Sequence, residues 1–84
     1  MELRFIRDSQ GREVDFVLVK DGKPEFAVEC KRGEQSLSDN IRYFAARSGI
    51  PHFYQVHTGM KDYEVPAARA RVMPVTAFAG VLGV

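Results

Sequence analysis

Hydrophobic and polar residues follow a strand-like period of two near the N-terminus. In the run from residue 13 to residue 20, one side carries Val14, Phe16 and Leu18, and the other carries Glu13, Asp15, Val17 and Val19. Such a period is typical of a half-buried β-strand. A loop over residues 21–24 follows, with the hairpin dipeptide Asp21-Gly22, and residues 25–31 are expected to return as a second strand. With the shorter apolar run at residues 3–7, the pattern predicts an antiparallel β-meander.

The pattern changes to a helical period after residue 36. Apolar residues recur at three- and four-residue spacing over 37–45, with Ser36 or Ser38 available as the N-cap. Residues 52–57 predict a further strand, residues 58–70 look irregular, and a short strand at 71–73 precedes a C-terminal helix over 75–82. The expected fold is α/β (α+β): one domain, residues 1–84, in which a small mixed sheet carries one helix packed on the meander.

Composition narrows the class of protein. The 84 residues are 45% hydrophobic and 27% charged, which is ordinary for a globular chain. A formal net charge of +1 excludes a strongly basic tail but allows a local basic patch. A single cysteine fits a reducing compartment, and neither a membrane span nor a signal peptide is apparent. We therefore expect a cytoplasmic protein without a membrane segment.

Three charged residues interrupt the apolar runs of the predicted hairpin: Asp15, Glu29 and Lys31. Charge in a half-buried strand costs several kcal/mol unless it is paired or binds a metal. If facing residues of the hairpin sum to about 45, Asp15 lies opposite Cys30, with Glu29 and Lys31 as diagonal neighbours. A bulge or a one-residue change in the loop would instead place Asp15 directly opposite Glu29 or Lys31. Both registers allow the three side chains to converge.

Such a cluster suits Mg²⁺ or Mn²⁺, which favour oxygen ligands. Asp15, Glu29 and the backbone carbonyl of Cys30 are the candidate metal ligands, and Glu13 is a further candidate on the same face. The ion would lower the pKa of a bound water, while Lys31 would orient that water or neutralise the transition state. The alternatives are a surface carboxylate at Asp15 paired with Lys31 and a solvated Glu13. The Cys30 side chain itself is expected to point the other way, into the core.

These residues resemble a known superfamily. Asp15, followed after a hairpin by Glu29-Cys30-Lys31 and then by a helix and a strand, is similar to the PD-(D/E)XK nuclease-like superfamily. The sequences GREVDFVL at 11–18 and AVECK at 27–31 are more similar to one branch, the C-terminal nuclease-like domain of unknown function in prokaryotic AAA-type ATPases. RYF at 42–44, GIPHFY at 49–54 and RVMP at 71–74 extend this resemblance over nearly the whole chain.

The resemblance implies a restriction-endonuclease-like core lacking its first helix, as a C-terminal fragment of a larger ATPase-type protein. It implies metal-dependent phosphodiester hydrolysis of DNA, with Asp15, Glu29 and Lys31 as catalytic residues and Mg²⁺ or Mn²⁺ as cofactor. It also implies that Gln55 supports the site. The alternative is a non-catalytic nuclease-fold module that binds a partner or nucleic acid, or regulates an associated AAA-type ATPase. A homodimer or another partner is expected to cover the sheet face left by the missing helix.

Overall fold

The computed structural model describes the backbone of residues 2–7 and 13–83, and the side chains of Leu3, Arg4 and residues 15–83. None of the helices in these residues is long and apolar enough to span a membrane. The elements follow in chain order as β1 (Glu2–Arg7), β2 (Glu13–Lys20), β3 (Lys23–Lys31), α1 (Asp39–Arg47), β4 (Phe53–His57), β5 (Tyr63–Val65), a 3₁₀ turn (Pro66–Ala68), β6 (Ala70–Pro74) and α2 (Val75–Leu82).

The described strands form one mixed sheet in the order β1-β2-β3-β4-β6-β5. The meander β1-β2-β3 is antiparallel, β4 pairs in parallel with both β3 and β6, and β5 is antiparallel to β6. The predicted α+β class, the meander and the C-terminal helix are confirmed. Strand β5 lies in a segment expected to be irregular, because three residues are too few to display a period.

The hairpin turn fixes the register of the meander. Asp21 and Gly22 both have positive φ, 54° and 77°, and Lys20 pairs with Lys23, so the loop has two residues rather than four. The register shifts between Leu18 and Val19. Beyond this bulge Phe16 faces Val28, so facing residues sum to 44 and the register, if continued, brings Asp15 opposite Glu29. The two-residue loop alone gives facing residues that sum to 43, as at Lys20 and Lys23, and the bulge raises the sum to 44. The register therefore follows the alternative in which Asp15 lies opposite Glu29, not the pairing with Cys30.

Each face of the sheet carries one helix. On the first face, α1 covers a cluster that includes Val17, Ala27, Ile41, Phe53 and Val72. On the second face, α2 contributes Phe78 to a cluster with Leu18, Phe26, Val28, Val56 and Met73. Among the described side chains of β2, β3 and β4, odd-numbered residues therefore point towards α1 and even-numbered residues point towards α2.

Helix α1 begins directly after Ser38. The Ser38 hydroxyl accepts the backbone N–H of Ile41 at 3.2 Å, so Ser38 rather than Ser36 is the N-cap. At the other end, the backbone N–H of Ser48 bonds to the carbonyl of Phe44. This start places the first turn of α1, and with it Ser38, above the end of β3.

Candidate functional site

The carboxyl ends of β3 and β4 gather polar side chains on the α1 face. Strand alternation points Asp15, Glu29 and Lys31 to this face, and it does the same for Gln55 and His57 of β4. Glu29 is the register partner of Gln55, and Lys31 is the register partner of His57. Parallel pairing therefore sets two rows of polar residues side by side at one end of the sheet.

Glu29 is a buried carboxylate with both oxygens in use. The residue is only 5% exposed. Its Oε1 lies 3.3 Å from the Lys31 ammonium Nζ, and its Oε2 accepts a hydrogen bond from the Ser38 hydroxyl. A buried charge is tolerated when it is paired and its remaining lone pairs are bonded. The ion pair and the hydroxyl together account for the position of Glu29 in the core.

Gln55 holds the segment that delivers Ser38. Its side chain is fully buried, and its Oε1 accepts the backbone N–H of Ser38 at 2.8 Å. Its Nε2 donates to the carbonyls of Gln35 at 3.2 Å and Ser36 at 3.0 Å. Three of the four hydrogen-bonding positions of this amide thus fasten residues 35–38 to β4. The connection between β3 and α1 is therefore anchored from the neighbouring strand.

Asp15 is exposed and lies where β2 and β3 separate. The pairing of these strands begins at Phe16 and Val28, and the Asp15 Oδ2 accepts the backbone N–H of Cys30 at 2.6 Å. The carboxylate therefore reaches the backbone of the residue between Glu29 and Lys31. Lys31 pairs with Glu29 rather than with Asp15, so the alternative of an Asp15–Lys31 surface ion pair is wrong.

The structure corrects the expectation for the Cys30 side chain and does not describe that of Glu13. The Cys30 side chain is exposed, so its expected place in the core is wrong; the members of β3 in the α2-face cluster are Phe26 and Val28. Partial burial raises the pKa of the Cys30 thiol, and the neighbouring Asp15 carboxylate raises it further. The backbone carbonyl of Cys30 stays a predicted ligand. The Glu13 side chain lies outside the described side chains.

The loop after β4 is fastened beside this site. Buried His57 donates from Nε2 to the carbonyl of Lys61 at 2.7 Å and accepts the N–H of Gly59 at Nδ1, at 2.9 Å. The Glu34 Oε2 accepts the N–H groups of Met60 and Lys61 at 2.6 and 2.7 Å. These two bonds lower the pKa of the Glu34 carboxyl. His57 therefore helps to hold the loop that follows β4.

A cleft of about 380 Å³ opens between the two loops of this region. Its lining includes Glu34, Gln35 and Ser36 from the segment before α1, and His57, Lys61 and Tyr63 from β4 and beyond. Gln35 and Ser36 are the same residues whose carbonyls hold Gln55. The cleft therefore borders the segment that Gln55 anchors.

The donor set fits a hard divalent cation that keeps much of its water. Within the described part of the chain, no group of three or more His, Cys, Asp or Glu side chains is placed to hold a metal ion. The described side chains at the site offer only two carboxylates, Asp15 and Glu29. Mg²⁺ is commonly bound by one or two carboxylates together with substrate phosphates, so an all-oxygen set of this size suits it. It does not suit a closed structural metal site.

The contacts of two residues in this region were not predicted from the sequence. Ser38 was expected only to cap α1, yet its hydroxyl also bonds to Glu29. Glu34 was not singled out, although it fastens the loop that follows β4. The only local signal for Ser38 is its position at the start of the helix that follows Glu29-Cys30-Lys31. Glu34 shows no such signal, because its partners lie 26 and 27 residues away.

Residues 1–78 match a family model described as a domain of unknown function, DUF4143. No curated protein and no solved structure matches the chain. The matched range includes Asp15, Glu29, Lys31, Ser38 and Gln55, so the site described above lies wholly inside it.

Proposed function

Because the chain belongs to the DUF4143 family, a domain family of unknown function, we propose its activity from the site itself: metal-dependent hydrolysis of phosphodiester bonds in DNA by a PD-(D/E)XK nuclease-like domain. One observation carries the proposal. A buried carboxylate, Glu29, is paired with a lysine two residues later, beside the point where the carboxylate of Asp15 meets the same strand.

Each residue has a role that its surroundings support. Asp15 is exposed at the strand separation and Glu29 faces the same side of the sheet, so their oxygens would hold Mg²⁺ or Mn²⁺ together with the Cys30 carbonyl. A bound ion of this kind supplies Lewis-acid activation of water and stabilises charge on phosphate oxygens. Glu13 remains a further candidate ligand.

Lys31 would stabilise the transition state. Its side chain is 28% exposed, so the ammonium reaches both Glu29 and the solvent edge. A lysine at this position can place its Nζ against the phosphate oxygen on which negative charge develops. Glu29 orients that ammonium in the absence of substrate. DNA as substrate, a homodimer and an AAA-type ATPase partner belong to the same proposal.

A second function is favoured by a different observation. The described residues contain no group of three or more metal-binding side chains, and both oxygens of Glu29 are already bonded. The alternative is therefore a non-catalytic nuclease-fold module. Such a module would bind nucleic acid or a protein, or regulate an AAA-type ATPase, without cleaving anything.

Mn²⁺ titration and plasmid nicking separate the two functions. Wild type is compared with Asp15→Asn and Lys31→Met, with Lys23→Met at the hairpin turn as the matched lysine control. We expect Asp15→Asn to weaken Mn²⁺ binding and nicking together. In Lys31→Met no ammonium pairs with Glu29, so this variant should bind Mn²⁺ at least as well as wild type. It should nick DNA roughly 100-fold more slowly, because the ammonium that would stabilise the transition state is absent. Lys23→Met should match wild type in both measurements.

Two results would contradict the proposed nuclease activity. A wild type that neither binds Mn²⁺ nor nicks DNA removes the enzymatic function and leaves the binding module. Nicking that persists at the wild-type rate in Lys31→Met would show that the reaction does not use this site.

A further inference from the structure

Ser38 links the start of α1 to the proposed site, and we propose that it is the positioning residue of Glu29. Its hydroxyl holds Oε2 of Glu29 so that Oε1 alone is presented to a divalent cation. This inference rests on the proposed function, because it assigns the geometry with which Glu29 would meet the ion. It concerns a residue that contributes through Glu29 and touches neither ion nor substrate.

The direction of the hydrogen bonds at Ser38 is fixed by chemistry. A serine hydroxyl has one proton to donate and lone pairs to accept. The carboxylate of Glu29 can only accept, so the proton of Ser38 goes to Oε2. The backbone N–H of Ile41 can only donate, so it bonds to the serine oxygen at 3.2 Å. The hydroxyl is thus oriented between the helix and the carboxylate.

The backbone of Ser38 is held independently of its side chain. Gln55 accepts the Ser38 N–H at 2.8 Å and is itself fixed by the carbonyls of Gln35 and Ser36. Because Gln55 is the register partner of Glu29, β4 sets the distance between Ser38 and the carboxylate. Groups that orient a metal ligand in this way typically change metal affinity by about 10–100-fold when they are removed.

The arrangement determines which oxygen of Glu29 is available. Oε2 is bonded to Ser38, whereas Oε1 faces the Lys31 ammonium at 3.3 Å on the solvent side. A cation entering the site would therefore take Oε1 and displace Lys31 towards the substrate. Without the Ser38 hydroxyl, the carboxylate is free to rotate, and both oxygens compete for Lys31.

Calorimetric Mn²⁺ titration of the full chain tests the proposal. Ser38→Ala should weaken Mn²⁺ binding by about 10–100-fold. Ser38→Thr keeps a hydroxyl that can both cap α1 and bond to Glu29, so it should restore most of the affinity. Ser48→Ala is the matched control, because it removes a serine hydroxyl that accepts the Ile50 N–H at the other end of α1. It should leave Mn²⁺ affinity unchanged.

A metal-free measurement separates positioning from general stability. Thermal midpoints of Ser38→Ala, Glu29→Gln and the double variant should be non-additive, since the two side chains touch. The inference is overturned if Ser38→Ala binds Mn²⁺ like wild type, if Thr does not rescue it, or if the midpoints add. Absence of Mn²⁺ binding by wild type would overturn the proposed function itself, and it is distinguished because it appears before any variant is compared.

Discussion

The two faces of the sheet differ in whether they bury polar side chains. The buried polar or charged residues of the described chain are Glu29, Gln55 and His57, and all three lie on the face covered by α1. The buried cluster on the α2 face is wholly apolar. In β3 the contrast falls between neighbours: Val28 and Glu29 are both buried, one on each face.

The difference follows from what covers each face. Beside α1 lie two loops, residues 32–38 and 58–62, whose backbone groups are available to bond with side chains. These loops bond to Glu34, Gln55 and His57, and no buried side-chain nitrogen or oxygen among the described residues lacks a partner. The α2 face is covered by a helix, whose interior backbone groups bond to one another. A polar site can be buried only where the covering backbone has unused hydrogen-bonding groups.

The largest loss of stability is expected from a charge placed in the apolar cluster on the α2 face. Val28→Glu puts a carboxylate among Leu18, Val56 and Phe78, where the neighbouring side chains are apolar. We expect a loss of about 4 kcal/mol or more in the free energy of unfolding, close to the whole stability of a small domain. Urea denaturation measures the loss. The control is Val28→Ala, which removes volume without adding charge and should cost less; equal costs would contradict the comparison.

A smaller effect is expected from removing polarity on the other face. Gln55→Met preserves shape but leaves the Ser38 N–H and the carbonyls of Gln35 and Ser36 without their partner. We expect a loss of about 2–4 kcal/mol, from unsatisfied buried groups at about 1–3 kcal/mol each, some of which relax to water. Met73→Leu, an equally buried control on the α2 face, should cost less than about 1.5 kcal/mol. A similar loss in both variants would show that Gln55 contributes only volume.

The smallest effect concerns the pH dependence of the loop that Glu34 fastens. The hydrogen bonds that the Glu34 carboxylate accepts from the N–H groups of Met60 and Lys61 lower the pKa of Glu34 below the ordinary value of 4.5. A carboxyl whose pKa is lower in the folded state than in the unfolded state stabilises the fold at any pH above its unfolded-state pKa. This stability is lost as the pH falls through the folded-state pKa. Glu34→Gln should therefore lower the thermal midpoint at pH 7 and converge with wild type in acid. Thermal melts from pH 7 down to pH 2 measure the convergence.

Gly59→Ala disturbs the contact between Glu34 and the loop after β4 by a change in the loop itself. A Cβ at residue 59 would lie 2.2 Å from Cγ of Glu34, so the glutamate side chain must move away. The variant should reproduce the reduced pH dependence of Glu34→Gln while keeping the carboxylate. A full acid dependence in either variant would show that the loop is held by His57 and Thr58 instead.

Much of the fold follows from local pattern. The alternation of residues 13–20, the Asp21-Gly22 turn and the helix over 75–82 match the structure closely, because each depends on nearby residues. The site was only partly predictable. Strand alternation gave Asp15, Glu29 and Lys31 a common face, but the pairing of Lys31 with Glu29 depends on rotamers. The exposure of Cys30 depends on where the α2-face cluster ends.

The sequence by itself determined which residues carry charge in the strands, and the period of two indicated the face that each occupies. Only the tertiary structure decided what bonds to them. The bulge beside Pro24 set the register at Asp15, and the parallel pairing of β3 with β4 brought Gln55 beside Glu29. Ser38 meets Glu29 because the intervening chain folds back over the sheet, a contact between residues nine apart that no local period encodes.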